Sequence, residues 1–130
     1  MNTRTKHILA VSAILLTIVL SYGIGCRMIY SNVEKFAHEA QAAYGGDPIP
    51  ALITMAGDES AGYEERNRAV WALGQIGDKR ALTVLHSLHT HEIQHPPYDA
   101  TSYIVQHSVE KAIRQINGFT VTRWMYFKLK

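Results

Sequence analysis

The stretch from His91 to His95 fits the pattern H-E-x-x-H letter by letter. Within a helix, two histidines in this pattern lie one turn apart and can bind the same zinc ion, while the glutamate activates water. His91 and His95 would then be the metal ligands, and His107 or Glu110 could supply a third. The chemistry that this pattern suggests is zinc-dependent hydrolysis.

The residues around the motif argue against that geometry. The pattern needs a helix that continues beyond the second histidine, but Pro96 and Pro97 follow it directly and cannot continue a helix. The wider cluster could instead form a non-catalytic site for zinc, copper or nickel, since neutral imidazoles bind these metals. Its histidines are His86, His89, His91 and His95. We favour solvated loop histidines and no metal, with His91 and His95 as the weak metal candidates.

The residues placed to bind a protein partner are aromatic or basic. Trp71 lies off the narrow apolar stripe of its predicted helix, so it is either packed between helices or exposed as an anchor. Exposed tryptophan is favoured at binding sites. Arg68 lies nearby, and Trp124 belongs to a tail that mixes aromatic and basic residues. We predict Trp71, Arg68 and Trp124 as the partner-binding candidates.

The amino-terminal segment is typical of a membrane anchor. Arg4 and Lys6 precede residues 8–25, which carry no charge. As a helix, these residues would span roughly 27 Å, close to the ~30 Å thickness of the hydrocarbon core. Because a basic amino terminus is retained in the cytoplasm, we expect a single-pass protein whose carboxy-terminal domain lies outside the cytoplasm. A bacterial inner membrane, or its periplasmic side, fits this topology.

Two other outcomes for this segment stay open. The dense apolar run has the length of a cleaved secretory signal. A lipoprotein signal would place the modified residue at Cys26, directly after Gly25, although Gly23 stands where leucine is usual. Cys26 is the single cysteine, so the chain has no internal disulfide.

Residues 66–88 have the spacing of two amphipathic helices joined by a tight turn. Leu73 and Ile76 recur at helical intervals, Gly77 can adopt the left-handed conformation that ends a helix, and Asp78 can cap the next one. Neither helix could bury its apolar face alone. The pair is therefore expected to be one unit of a stack.

The same stretch resembles HEAT repeats of the short phycobilisome-lyase-like type. Ala72 to Asp78 reads Ala-Leu-Gly-Gln-Ile-Gly-Asp, and Arg80 to Leu82 reads Arg-Ala-Leu, both close to the hallmark of that repeat. The resemblance implies a binding scaffold. It also implies an inter-repeat arginine, Arg66, that binds carbonyls or an acid of the neighbouring hairpin, with Asp78 as its natural partner. The structural repeat positions are Arg66, Leu73, Gly74, Ile76, Gly77 and Asp78.

The remaining chain supplies weaker copies of this unit. Helices are predicted over residues 33–44, 48–56, 63–76, 80–89 and 102–117, with a connector at 27–32 and an insertion between Thr90 and Thr101. The fold class is all-α: a short HEAT-like α-solenoid of about two and a half helical hairpins, preceded by one transmembrane or signal-anchor helix. The predicted regions are a basic cytoplasmic amino terminus (1–7), the anchor (8–26), the repeat domain (27–118) and a capping tail (119–130). A membrane contact is the less favoured interpretation of that tail.

The charge balance restricts the partners. With 13 basic and 11 acidic residues, the chain lacks the basic excess of a general nucleic-acid binder. We therefore predict a membrane-tethered, non-catalytic scaffold with an unidentified protein partner and no cofactor. A homo-oligomer is an open alternative, and so is a metal-binding or zinc-hydrolase protein that uses the cluster from His86 to His95.

Overall fold

A computed structural model of the chain describes residues 2–130; Met1, the first residue of the predicted basic amino terminus, lies outside them. The described chain is all-α and contains no strand. Its helices are α1 Thr3–Tyr44, α2 Pro48–Gly57, α3 Tyr63–Ile76, α4 Leu82–Leu88 and α5 Gln106–Asn117. Two 3₁₀ turns lie at Lys79–Ala81 and Arg123–Tyr126. The all-α prediction is confirmed.

The chain divides into two compact units, which meet between Ser31 and Asn32. Helix α1 begins in the first unit and ends in the second, and it is long and apolar enough to cross a membrane, by length and composition. Its large apolar side chains are exposed, among them Ile8, Leu9, Val11, Ile14, Leu15, Leu16, Ile18, Val19 and Leu20. A globular core would bury such residues, so this helix has the surface of an anchor or a signal.

The connector predicted at residues 27–32 is wrong, because α1 continues through it without a break. The six residues from Arg27 to Asn32 include neither glycine nor proline, so nothing in them ends a helix. The helix ends instead at Tyr44, before Gly45 and Gly46, which both have positive φ.

The second unit is built from packed hairpins. The helix α3 packs against α2 and α5, and α4 packs against the same two helices. Each helix contributes fully buried apolar residues to one core, among them Val33, Ile49, Leu52, Val70, Leu73, Ile76, Leu85, Val109 and Ile116. The stacked arrangement predicted from residues 66–88 is what buries these faces.

The turn that closes the central hairpin has the predicted geometry. Gly77 adopts φ 68°, and its N–H donates to the carbonyl of Leu73 at 3.0 Å. A Cβ at this glycine would lie 2.5 Å from Nε of Arg123, so space and conformation both require glycine. The Asp78 carboxylate accepts the Arg80 N–H at 2.9 Å and caps the 3₁₀ turn that precedes α4.

Helix α2 begins at Pro48, as predicted, and the side chain of Asp47 forms no capping hydrogen bond there. The helix predicted from residue 80 begins at Leu82, after the 3₁₀ turn at Lys79–Ala81. The last helix begins at Gln106 rather than Ser102, because Asp99 turns the chain there. Its carboxylate accepts the Thr101 N–H at 2.9 Å and the Ser102 hydroxyl at 2.5 Å.

Candidate functional site

The segment between α4 and α5, residues 89–105, includes the insertion predicted between Thr90 and Thr101, and we call this whole segment the insertion. It has no helix across the H-E-x-x-H letters, and His91 has a positive φ of 58°. The two histidines of the motif therefore lack the one-turn spacing that a zinc-hydrolase site needs. The insertion is exposed at its middle, where Ile93 keeps 82% of its surface accessible.

A cavity of about 380 Å³ lies between the insertion and α5. Its walls are His89, His91, Glu92, Ile93, Gln94, Tyr98, Gln106, His107 and Glu110. The rings of His89 and His91 are 4.1 Å apart between centroids, and His107 stacks on Tyr98 at 5.8 Å. His86 and His95, by contrast, are not among its lining residues.

The cavity offers imidazoles and carboxylates, so it can both donate and accept hydrogen bonds. Across residues 2–130, no group of three or more His, Cys, Asp or Glu side chains is arranged to hold a metal ion. The structure brings His91 to the same cavity as His107 and Glu110, but it does not bring His95 there. The predicted ligand pair is therefore not assembled.

The side chain of Asn67 ties the end of the insertion to the central repeat. Its amide nitrogen donates to the carbonyls of Tyr63, Ala100 and Tyr103 at 2.9, 2.9 and 2.7 Å. Its amide oxygen accepts the N–H of Val105 at 2.9 Å. Because this side chain is buried, the hydrogen bonds form away from bulk water and fix the chain just before α5.

Two glutamines hold the rest of the insertion. Gln106 accepts the Thr90 N–H at 2.8 Å and donates to the Leu88 carbonyl at 3.1 Å. Gln94 accepts the Gln106 N–H at 2.8 Å and donates to the Ile104 carbonyl at 3.1 Å. Together with Asn67, these residues form what we call the amide network.

The sequence analysis does not predict the amide network. No motif singles out Asn67, and Gln94 is one of the two variable positions of the H-E-x-x-H pattern. One signal was available. Asn67 lies three residues before Val70 and seven before Gly74, on a helix face where apolar or small residues are expected.

Arg66 makes the expected contact with the neighbouring hairpin, through a backbone carbonyl. Its Nε donates to the carbonyl of Ala56 at 3.1 Å, and the residue is buried. The expected pairing with Asp78 is wrong, because that carboxylate binds the Arg80 side chain at 3.0 Å. Sequence proximity explains the difference, since Arg80 is two residues from Asp78.

Two of the three partner-binding candidates lie together beside Phe36. Trp71 is half-buried and meets the Phe36 ring edge-on at 5.9 Å. Arg68 lies over the same ring at 5.5 Å and pairs with Glu64. The third candidate, Trp124, is on the tail and remains 70% exposed. Their binding roles stay predictions.

Two carboxylates have lowered pKa values because hydroxyl groups bind them. The Tyr44 hydroxyl donates to Asp58 at 2.7 Å, and with Ser60 it lowers the pKa of Asp58 to about 2. The hydroxyls of Ser102 and Thr101 lower the pKa of Asp99 to about 2. Both acids stabilise turns, one beside α2 and one inside the insertion.

The tail contacts α3 and the end of α5. Tyr126 and Thr122 are buried, and the Thr122 hydroxyl contacts Gln75 Oε1 at 3.2 Å. Arg123 donates to the carbonyls of Gln115 and Ile116 at 2.9 and 2.7 Å. Within the tail, Arg123–Tyr126 form a 3₁₀ turn.

Cys26, the predicted lipidation candidate, lies inside α1 and is half-buried with a free thiol. Its modification stays a prediction.

Comparison with known proteins agrees with the geometry of the central hairpin. Residues 65–88, which include most of α3, the Gly77 turn and α4, match the family described as PBS lyase HEAT-like repeat. No curated protein matches the chain, and no solved structure does. Residues 65–88, at the centre of this chain, are thus similar to a HEAT-like repeat of the PBS lyase type, and a long apolar amino-terminal helix precedes them.

Proposed function

We propose that the protein is a membrane-tethered, non-catalytic module that binds a protein partner through the insertion between α4 and α5. The observation that carries this proposal is the amide network. Hydrogen bonds of this network, from Asn67 and Gln106, hold an exposed loop in place. The repeat does not need this loop for its own packing. A polypeptide held in one conformation binds with a smaller entropic cost than a flexible one.

The insertion has the surface of a binding loop. Ile93 is 82% exposed, and Tyr98 is exposed beside a cavity that offers imidazoles and carboxylates. Apolar anchors surrounded by polar groups are typical of protein-binding sites. A peptide-like ligand would place an apolar side chain beside Ile93 and polar groups in the cavity.

Photo-crosslinking of the full chain in its native membranes tests this proposal. A benzophenone amino acid replaces Ile93 in one variant and Thr83, exposed on α4, in the matched control. We expect one discrete crosslinked product from position 93 and at least tenfold less from position 83. Equal crosslinking from both positions, or none from position 93, would contradict the proposal.

The apolar part of α1 is the proposed membrane tether, and the charges before it favour a carboxy-terminal domain outside the cytoplasm. Arg4 and Lys6 precede the apolar part of α1, and positive charge is retained on the cytoplasmic side. A phosphatase reporter that folds only outside the cytoplasm, fused after Lys130, should be active. Replacing Arg4 and Lys6 by glutamine should lower that activity. A reporter active only in the cytoplasm would refute this topology.

Metal binding at His91 and His95 is the competing function from the sequence pattern, although no group of three or more potential ligands in residues 2–130 is arranged to hold a metal ion. Zinc titration of the purified full chain separates the two functions. Stoichiometric zinc that is lost in a His91→Ala, His95→Ala variant would contradict the scaffold proposal. Weak binding that is unchanged in this variant would leave the scaffold proposal in place.

A further inference from the structure

The tail turns with a period of three residues. Its backbone hydrogen bonds join residues three apart, from Arg123 N to Thr120 O at 3.2 Å and from Met125 N to Thr122 O at 3.0 Å. In a 3₁₀ helix, side chains three residues apart lie on the same side. The tail therefore has distinct faces, each with one residue per turn.

One of these faces is exposed, and the other two each contribute a buried residue. Thr122 and Tyr126, on different faces, are buried, whereas Val121, Trp124 and Phe127 repeat every three residues and are 55%, 70% and 71% exposed. Phe119 lies beside this row and is 87% exposed. We call these four side chains the tail apolar row.

The exposure of this row does not come from a loose chain end. Arg123 lies between Val121 and Trp124, and its guanidinium binds two carbonyls at the end of α5. The buried Tyr126 fixes the next turn. Because the backbone is held on both sides of Trp124, the row stays exposed while the tail remains folded.

The charged side chains of the tail itself are all basic, and Asp78 is an acid of the central hairpin that interacts with Lys130, which helps to hold the Asp78 pKa below its usual value. Residues 119–130 include Arg123, Lys128 and Lys130 but no aspartate or glutamate, and both lysines are exposed. A second copy of this surface would bring like charges together. An anionic bilayer would instead attract the lysines, each by about 1 kcal/mol, and it would accept aromatic rings at its interface.

We propose that the tail apolar row, with Lys128 and Lys130, docks on the surface of an anionic lipid bilayer. The inference rests on the proposed tether, since a domain attached to a bilayer meets that surface at high effective concentration. Trp124 and Phe127 would enter the interface while Tyr126 keeps the tail on the core.

Quenching of Trp124 by lipid tests the proposal directly. The full chain with Trp71→Phe has Trp124 as its single tryptophan. It is reconstituted into vesicles of phosphatidylcholine alone, or with phosphatidylglycerol, that carry bromine on the acyl chains. We expect strong quenching of Trp124 in the anionic vesicles and recovery at high salt. In the matched variant Trp124→Phe, the half-buried Trp71 should be quenched little.

A second variant avoids any change in the core. Replacing Lys128 and Lys130 by glutamine removes two exposed charges, and each replacement should lower the ratio of docked to undocked tail about fivefold. Unchanged quenching in this double variant would contradict the charge contribution.

The failures of the two proposals can be distinguished by flotation of the same vesicles. A chain that floats but shows no quenching of Trp124 overturns the docking proposal alone. A chain that does not float overturns the tether and the docking together. Protection of Trp124 from acrylamide that rises with protein concentration, without quenching by lipid, would assign the row to self-association and overturn the docking.

Discussion

The central repeat and the insertion next to it are held by different forces. The repeat buries apolar side chains such as Leu73 and Leu85 completely, and each large one contributes about 1.5–3 kcal/mol. The insertion is held mainly by amide hydrogen bonds from Asn67, Gln94 and Gln106, each worth a net 0.5–1.5 kcal/mol. One region therefore sets the stability of the domain, and the other sets the conformation of an exposed loop.

Because the insertion adds little to the packed core, the domain does not need its exposed side chains in order to fold. Residues of the repeat are constrained by packing, turn and cap positions, whereas the exposed positions of the insertion can change without affecting the core. A surface that binds a partner needs this freedom, and a rigid backbone gives it a defined shape. Asn67 is the connection, because it belongs to α3 and binds the insertion.

The largest expected effect is on the repeat. Leu73→Ala removes a fully buried side chain between α3 and its neighbours and should lower the free energy of unfolding by about 2–5 kcal/mol. Denaturant titration of the full chain in detergent measures it. The α1 segment of the first unit serves as an internal control, since its helical signal should persist. A loss below about 1 kcal/mol would show that the hairpins do not share one packed core.

The next effect should be confined to the insertion. Asn67→Ala leaves the carbonyls of Ala100 and Tyr103 and the N–H of Val105 without this partner, at a cost of about 1–3 kcal/mol. Hydrogen exchange should quicken over residues 100–105 and change little in α2. Asn117→Ala, at an exposed asparagine of α5, is the matched control. Uniform acceleration across the second unit would contradict a separately held loop.

A third prediction tests whether the pKa values of Asp58 and Asp99, which lie in different turns, are independent of each other. Tyr44→Phe removes the largest cause of the low Asp58 pKa, so this pKa should rise from about 2 towards 3.8, while that of Asp99 stays near about 2. Because folding lowers the Asp58 pKa, its contribution to stability is complete above about pH 3.8 and is lost as the pH falls through about 2. Carboxyl chemical shifts against pH measure both groups. A parallel shift of the Asp99 pKa would show that the turns are coupled.

The smallest effect is expected at the exposed loop. Ile93→Ala removes a side chain that is 82% exposed, so the free energy of unfolding should change by less than about 0.5 kcal/mol. Its effect on partner binding, measured with a crosslinking residue at another position of the insertion, should nevertheless be large. A substantial loss of stability would mean that Ile93 belongs to the core.

The features that the sequence predicted well depend on local periodicity. The spacing of Leu73 and Ile76, followed by Gly77 and Asp78, is enough to predict α3 and its turn, because the signals lie within one helix and its cap. The membrane-length helix is likewise visible in composition. The helix break expected after Cys26 was wrong because the end of the apolar segment is not the end of the helix.

The features that the sequence could not supply depend on distant contacts. Asn67 finds its acceptors 33 and 36 residues away, in a loop whose path no local pattern specifies. The tail was predicted as a cover, but its three-residue period decides that Tyr126 is buried while Trp124 is exposed. Over so few residues, the spacing of apolar residues in the sequence cannot distinguish a 3₁₀ turn from an α-helix.

The most direct test of the account is quantitative crosslinking from position 93 in the wild-type and Asn67→Ala backgrounds, in native membranes. If the repeat holds the insertion in its binding conformation, the partner product should fall at least fivefold in the Asn67→Ala background, with equal amounts of folded protein. An unchanged yield would contradict the central claim that the HEAT-like repeat positions this loop for a partner.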